Sequence, residues 1–383
     1  DRLKLIGRAG IGIDNVDVAA ASKKGVVVMN TPTGNAVTAA EHALALLLSL
    51  ARRIPQADAS LKRGKWEKQK FMGTEVAGKT IGIVGLGNIG RIVADRARGL
   101  NMRVIAYDPV LSPERAVQLG VELARLDQIW RESDFITLHT PLTPETRGMI
   151  DDAVLDQCRT GVLIVNAARG GLIDEAALER ALKSGKVGGA ALAVFEKEPP
   201  GDHPLLKLDN VIATPHLGAS TEEAQERVAV EIAQQTVAFL RDGVIQNAVN
   251  YPSLSRERLD KLAPDLDLAT RLGSLLAQID RVQAAELVVE CAGEVAELGA
   301  TPITQSALAG FLRKFLDVPV NAVSAPTIAR DRGIAVQQIR SSQARDFANT
   351  VKVIVRGPGG SKEAVGTLFG ENEPRLVRLR NYR

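Results

Sequence analysis

The chain has 383 residues, 45% of them hydrophobic, and its 48 basic and 45 acidic side chains leave a net charge of +3. At about 150 residues per domain this is two or three domains with ample core, and so balanced a surface gives no reason to expect nucleic acid. Cys158 and Cys291 stand far apart without a C-x-x-C, so neither a disulfide framework nor a metal site is expected; the longest apolar stretch, 43–51, cannot span a bilayer, and a reducing cytoplasm is the expected location.

Residues 1–33 read as strand (3–7), helix (16–24) and strand (26–30). A strong Ala- and Leu-rich helix follows over 38–54, with a weaker one over 57–63. The first is apolar around so much of its girth that one domain surface would cover only part of it, which predicts packing across a two-fold axis in a homodimer. From 78 to about 215 strands alternate with helices: strands near 80–84, 103–107, 134–138, 162–166, 187–195 and 210–214, helices over 88–100, 126–132 and 174–184. Such alternation predicts an α/β fold with a parallel, doubly wound Rossmann-type sheet. A long helix over 221–241 is opened by Ser220 with Glu223 three residues on, a capping box. Residues 250–255 read as a linker. Beyond it Pro264 suits a first helical turn, with Leu266, Ala269, Leu272, Leu276 and Ile279 following at helical spacing. Strand-like runs at 286–291, 351–356 and 364–369 complete a separate α+β domain. Arg375, Arg378, Arg380 and Arg383, interleaved with apolar residues, read as the solvated face of a strand. The chain enters a strand almost at once and ends just after one, so both termini read as trimmed.

One stretch names a cofactor. The strand near 80–84 runs straight into G-x-G-x-x-G (Gly85, Gly87, Gly90), a helix opens at Asn88 and Ile89, and the next strand ends in Asp108. The first glycine permits a tight turn, the second lets a pyrophosphate approach the backbone, and the third lets helix and strand pack closely. The helix N-terminus then faces the anion with free N–H groups and its dipole. A carboxylate about 20 residues on accepts from ribose hydroxyls and repels a 2′-phosphate. NAD rather than NADP is therefore expected.

Three later strands end in an ionisable residue: Arg169 after 162–166, Glu198 after 187–195, and His216 after 210–214. Ligands of open α/β sheets sit beyond the carboxyl ends of the strands, so the three should converge over the dinucleotide. Removing hydride from an alcohol carbon also requires removing the hydroxyl proton. Histidine suits that step, a neighbouring carboxylate fixes its tautomer, and an arginine fork binds a substrate carboxylate. Together they predict a hydride-transfer site for a 2-hydroxy acid. Among the other histidines, His42 reads as core or interface, His139 as satisfying backbone, and His203 as solvated. Thr140 is placed to touch cofactor, and Arg8 in Gly7-Arg-Ala-Gly10 to bind an anionic substrate.

With these residues in place, the chain resembles the NAD-dependent D-2-hydroxyacid dehydrogenases, in particular their long, phosphoglycerate-oxidising branch. The likeness is carried over 1–250 by Gly7-Arg-Ala-Gly, Asp14-Asn-Val-Asp, Asn30-Thr-Pro-Thr-Gly-Asn, the Gly85–Gly90 loop, Asn166-Ala-Ala-Arg-Gly-Gly, Glu198-Pro-Pro and Pro215-His-Leu-Gly-Ala-Ser. The resemblance implies oxidation of 3-phosphoglycerate at the first step of serine synthesis. It implies Arg169 as catalytic arginine, His216 as proton donor and acceptor with Glu198 as its partner, and Arg8, Gly10 and Asn35 at the substrate. Arg169 and His216 would also touch the cofactor, together with Gly85, Gly87, Asn88, Ile89, Gly90, Asp108, Thr140, Ala167, Ala168, Ala193, Gly218 and Ala219. It also implies a remnant of a flavodoxin-like substrate domain (1–33, with 217–250 returning to it), an NAD-binding domain (34–216), an incomplete intervening domain (254–383) without the serine-binding domain that follows it in the long form, and a homodimer or homotetramer. The chain departs from the family's pattern at Ile11, where Thr is usual, and at Ala193, where Asp is usual; each removes a polar contact near the nicotinamide. Reduction of hydroxypyruvate or glyoxylate, or a binding module of the same fold with little activity, are the competing readings.

Overall fold

The computed structural model describes residues 2–279, 284–316, 319–342, 347–370 and 372–380. By compactness the chain divides in two, one unit formed by 32–228 and the other by 1–31 together with 229–383.

The short elements β1 (Leu5–Gly7), α1 (Val18–Lys23) and β2 (Val27–Met29) come first, with the two strands paired in parallel. They then hand over to the central unit. Its elements are α2 (Ala36–Arg52), α3 (Ile54–Lys62), β3 (Thr80–Val84), α4 (Asn88–Gly99), β4 (Arg103–Tyr107), α5 (Pro113–Gln118), β5 (Glu122–Leu123), α6 (Leu126–Glu132), β6 (Phe135–Leu138), α7 (Asp152–Gln157), β7 (Val162–Asn166), α8 (Glu175–Ser184), β8 (Val187–Leu192) and β9 (Val211–Ala213). Helix α9 (Glu222–Asp242) contains the boundary between the units. The seven strands form one sheet in the order β5-β4-β3-β6-β7-β8-β9, every neighbouring pair parallel. Strands covered on both faces become near-continuous apolar runs, and all five residues of β3 are buried. One face packs Ile136, Ile164, Leu178 and Leu182 with α6, α7 and α8. The other packs Ile81, Ile83 and Val165 with Ala43, Leu47 and Leu50 of α2 and Val93 and Ala97 of α4.

That second layer corrects the reading of α2. Ten of its residues, from Ala36 to Ala51, are buried inside this one unit, which leaves Val37, Glu41, Ala45 and Arg52 exposed. Sheet and α4 between them cover the apolar girth, so α2 gives no reason for a two-fold interface. The cap of α9 also sits one residue later than expected: Thr221, not Ser220, accepts from the Ala224 N–H at 3.2 Å.

The second unit adds α10 (Arg256–Ile279), β10 (Glu286–Ala292), α11 (Glu294–Leu312), α12 (Ala325–Asp331), β11 (Ala335–Ser341), β12 (Thr350–Gly357), β13 (Gly360–Phe369) and β14 (Glu373–Leu379). Its sheet runs β11-β10-β12-β13-β14, with β10 and β11 parallel and the rest antiparallel. The β1–β2 pair and α1 close only a small cluster of their own, Ala21, Val26 and Val28. Val27 and Met29 bury against Val323, Phe239 and Ile245, and Lys23 pairs with Asp331 at 2.8 Å. This is why the structure shows two units where the sequence suggests three parts. Residues 250–255 are not a free linker either. Asn250 donates to Ser22 Oγ and Val26 O and accepts from Val28 N–H.

Pro264 lies inside α10, not in its first turn. The two turns before it hold without the proline's N–H, because Leu262 is fully buried and Arg256–Asp260 and Lys261–Glu257 pair at i,i+4. Tertiary packing here outweighs the ~3 kcal/mol that an interior proline costs. Helix α11 escapes a periodicity search because it is apolar nearly all round and buried, and β11 because it is a largely exposed edge strand. Arg375 and Arg378 pair with Glu373 and Glu363 on the strand expected of them; Arg383 lies outside the described residues. Among the described residues no helix is long and apolar enough to cross a membrane.

One buried carboxyl in this unit carries a pH dependence. Burial raises Asp265 from 3.8 to about 6. The fold therefore favours the protonated form. The cost of holding the charge is fully present above pH 6 and is gone below the unfolded value near 4. Asp265→Asn is expected to stabilise this unit by about 1–3 kcal/mol at pH 8 and to change nothing at pH 3.5. Denaturant unfolding at the two pH values checks it; an equal effect at both would refute it.

Candidate active site

All seven strands, β3 to β9, are parallel, so their carboxyl ends lie on one rim of this unit's sheet. The chain reverses direction at β3, which has β4 on one side and β6 on the other. The crevice at such a reversal is where α/β sheets hold ligands. Gly85 takes φ +95° at the end of β3, and a Cβ there would lie 2.6 Å from the His139 carbonyl oxygen. At Gly90 a Cβ would lie 1.9 Å from the Gly85 carbonyl oxygen, so α4 can press on the loop only without one. Gly87 differs: it is exposed and a Cβ would meet nothing within 4 Å. The open space lies in front of the first turn of α4, where a pyrophosphate fits. The loop is braced from behind. Asp108 accepts from Leu86 N–H at 2.8 Å and Val110 N–H at 3.0 Å. Asn88 donates to Pro32 O, and Arg91 binds both Asn88 Oδ1 and Gly87 O. A carboxylate has about four acceptor positions, so Asp108 keeps capacity for ribose hydroxyls. The residues present therefore fit a dinucleotide.

The next strand ends bring the charged groups. After β7, Asn166 folds the turn: its Oδ1 accepts from Ala168 N–H and its Nδ2 donates to Arg169 O. Arg169 donates from Nη1 to Ala168 O at 2.6 Å. After β8, Ala193 N–H donates to Asn166 O, and after β9, His216 N–H donates to Ala193 O. These rungs carry the sheet's register past its last strand residues and bring the three turns together. His216 sits at φ +52°. Its Nδ1 is 2.8 Å from Glu198 Oε2, and the other carboxylate oxygen, Oε1, accepts from Phe195 N–H at 3.1 Å. Both side chains are partly exposed, 50% and 38%. An ionised carboxylate only accepts, so Nδ1 carries the hydrogen and Nε2 presents a lone pair. His139 is no rival. Its ring is enclosed against Thr137 Oγ1, and burial lowers it to about 4, so it takes up no proton near neutrality. His42 bonds Thr214 Oγ1 at 3.0 Å, two residues before His216.

Three comparisons with known proteins bear on this site. Residues 44–218 match the D-isomer specific 2-hydroxyacid dehydrogenase NAD binding domain, and residues 261–380 match the D-3-phosphoglycerate dehydrogenase intervening domain. The D-3-phosphoglycerate dehydrogenase of Archaeoglobus fulgidus is 45% identical over 381 residues, which is 99% of this chain and 72% of that one. That of Bacillus subtilis is 40% identical over 380 residues, again 99% and 72%. The chain belongs to the D-3-phosphoglycerate dehydrogenase family. It spans about 72% of the length of these relatives. Among solved structures, a glyoxylate reductase from Paecilomyes thermophila aligns with TM-score 0.61 at 35% identity, over 64% of this chain and 75% of that one. A D-lactate dehydrogenase from Aquifex aeolicus, solved with NAD and lactic acid, aligns with TM-score 0.60 at 32% identity, over 66% and 81%. As in that family, the chain is an NAD-dependent oxidoreductase acting on a small 2-hydroxyacid.

Sixteen of the sequence-derived positions belong to the central unit: Asn35, Gly85, Gly87, Asn88, Ile89, Gly90, Asp108, Thr140, Ala167, Ala168, Arg169, Ala193, Glu198, His216, Gly218 and Ala219. Asn35 is buried before α2, and its Oδ1 has no hydrogen-bond partner among the described residues. Arg8 and Gly10 belong to the other unit, where Gly10 N–H donates to Thr31 Oγ1 at 2.7 Å. The family departures differ in setting. Ile11 uses its carbonyl to accept from Asn30. Ala193 is 1% exposed, its methyl packed in the α2-facing core.

Sequence reasoning missed the groups that hold this rim together. Gly170 is one: a Cβ there would lie 1.8 Å from the Phe195 carbonyl oxygen, so the turns bearing Arg169 and Glu198 touch backbone to backbone. His203 is another. It is not solvated: its Nε2 lies 3.0 Å from Glu175 Oε2, with side chains 22% and 16% exposed. The available signals were an acidic pair, Asp174-Glu175, opening a helix just after the Arg169 turn, and a histidine directly before Pro204.

Proposed function

We propose that this chain oxidises 3-phosphoglycerate to 3-phosphohydroxypyruvate with NAD, the first step of L-serine synthesis, in the cytoplasm. The observation that carries the chemistry is the His216–Glu198 pair at 2.8 Å on the same rim as Arg169 and the Gly85–Gly90 loop. The relatives named above supply the choice of substrate. Bound NAD supplies the acceptor for the hydride that leaves C2. The chain's own residues do the rest. Arg169 takes the substrate carboxylate in its fork and places positive charge beside the C2 oxygen. His216 Nε2 accepts the C2 hydroxyl proton as the carbonyl forms. Glu198 holds the ring in the tautomer that can do so and stabilises the imidazolium that results. Asp108 favours NAD over NADP, since a carboxylate repels a 2′-phosphate. A substrate panel tests the reading: NADH formation should be far faster with 3-phosphoglycerate than with D-glycerate or D-lactate. A preference for either unphosphorylated acid would favour the other 2-hydroxyacid readings.

We also propose a homodimer, or a homotetramer built from it, through a surface other than α2. Ile54, Leu61, Trp66 and Met72 are exposed by 52%, 57%, 83% and 78% within one short segment. Large apolar side chains so clustered mark an association surface. Sedimentation at micromolar concentration should show at least a dimer, and Trp66→Ala should weaken it; a monomer throughout would contradict this.

A further inference from the structure

Glu198 is presented by the loop 193–203, and that loop is tied to α8 by one side chain. Glu175, the first residue of α8, accepts from Glu196 N–H through Oε1 at 2.7 Å. Its Oε2 lies 3.0 Å from His203 Nε2. The two ties fall on opposite shoulders of Glu198, two residues before it and five after. His203 is itself fixed. Its Nδ1 accepts from Leu205 N–H at 3.3 Å, so Nε2 carries the hydrogen given to Glu175, and its ring lies 5.7 Å from that of Phe195. Phe195 in turn donates its N–H to Glu198 Oε1. The start of α8 suits a carboxylate, since its N–H groups and dipole favour negative charge, and Asp174 already caps the helix by accepting from Ala176 and Ala177. The Glu175 carboxylate is therefore left to the loop.

We infer that Glu175 is a positioning residue for the proposed reaction, with His203 as its second tie: it holds both shoulders of the loop that aims Glu198 at His216. It touches neither substrate nor cofactor and acts only through Glu198. Since a misplacement of about 1 Å can cost a hundredfold in rate, loosening the loop should be read in turnover. The inference rests on the His216–Glu198 reading above.

The test compares Glu175→Ala, Glu198→Gln and the double variant in the full chain, recording kcat, KM for NAD, ADP-ribose affinity and melting temperature. Glu175→Ala should lower kcat by roughly tenfold or more, with KM for NAD and ADP-ribose affinity unchanged. In the Glu198→Gln background it should add little, because residues acting through one another are not additive. Glu175→Gln, which keeps an acceptor for Glu196 N–H, should recover part of the loss. His203→Ala, which removes only one tie, gives the same comparison if Glu175→Ala does not fold. A lower melting temperature with unchanged kcat per folded site, or losses that multiply in the double variant, would overturn the inference. If Glu198→Gln alone leaves kcat unchanged, the dyad reading itself fails.

Discussion

Replacing His216 by Ala is expected to lower turnover by roughly 10²–10⁴, the usual worth of a positioned acid–base group, while NAD binding stays intact. The split follows from where the residues sit. His216 stands after β9 and bonds Glu198. The dinucleotide loop stands after β3 and is braced by Asp108, Asn88 and Arg91. No other histidine can stand in: His139 is held neutral by burial, at about 4, and His42 is bonded to Thr214. Steady-state kinetics with 3-phosphoglycerate, beside calorimetry with NAD, checks both halves. Unchanged turnover would remove His216 from the reaction. Equal losses in turnover and NAD affinity would mean the substitution disturbs the whole rim.

Gly170→Ala is expected to be nearly as severe, by a different route. Its added methyl would lie 1.8 Å from the Phe195 carbonyl oxygen and 2.1 Å from the carbonyl carbon. Both are backbone, so no side chain can swing away. Overpacking of this kind costs about 1–3 kcal/mol, and the strain falls between Arg169 and the residue whose N–H holds Glu198. A fall in kcat/KM of about a hundredfold or more should accompany a lowered melting temperature. Gly99→Ala is the control: that site has nothing within 4 Å and lies in the last turn of α4. It should leave kinetics unchanged and stabilise the chain by up to about 1 kcal/mol. Wild-type kinetics in Gly170→Ala would show that the two turns do not need their contact.

Much of the candidate site's layout was legible because its motifs are local. The glycine loop, the strand-end Asp108, and the Arg169, Glu198 and His216 turns are each written in a few consecutive residues. The parallel sheet was legible because strands buried on both faces leave unbroken apolar runs such as the Val-Leu-Ile-Val that opens β7. What was not legible depends on partners distant in sequence. Whether the girth of α2 is covered depends on β7, β8 and α4. Whether Pro264 breaks a helix depends on what Leu262 packs against. Whether His203 is wet or bonded depends on Glu175, 28 residues before it. Gly170 carried no distinguishing mark beside Gly171, since only the folded turn shows which of the two meets Phe195.

On this reading the rim moves hydride from C2 of a 2-hydroxy acid to NAD. The most direct measurement uses 3-phosphoglycerate deuterated at C2 and locates the deuterium after turnover with NAD. It should appear on C4 of the reduced nicotinamide, and the rate of its appearance should fall with His216→Ala by the same factor as turnover. Deuterium released to water, or NADH formed without it, would contradict the account.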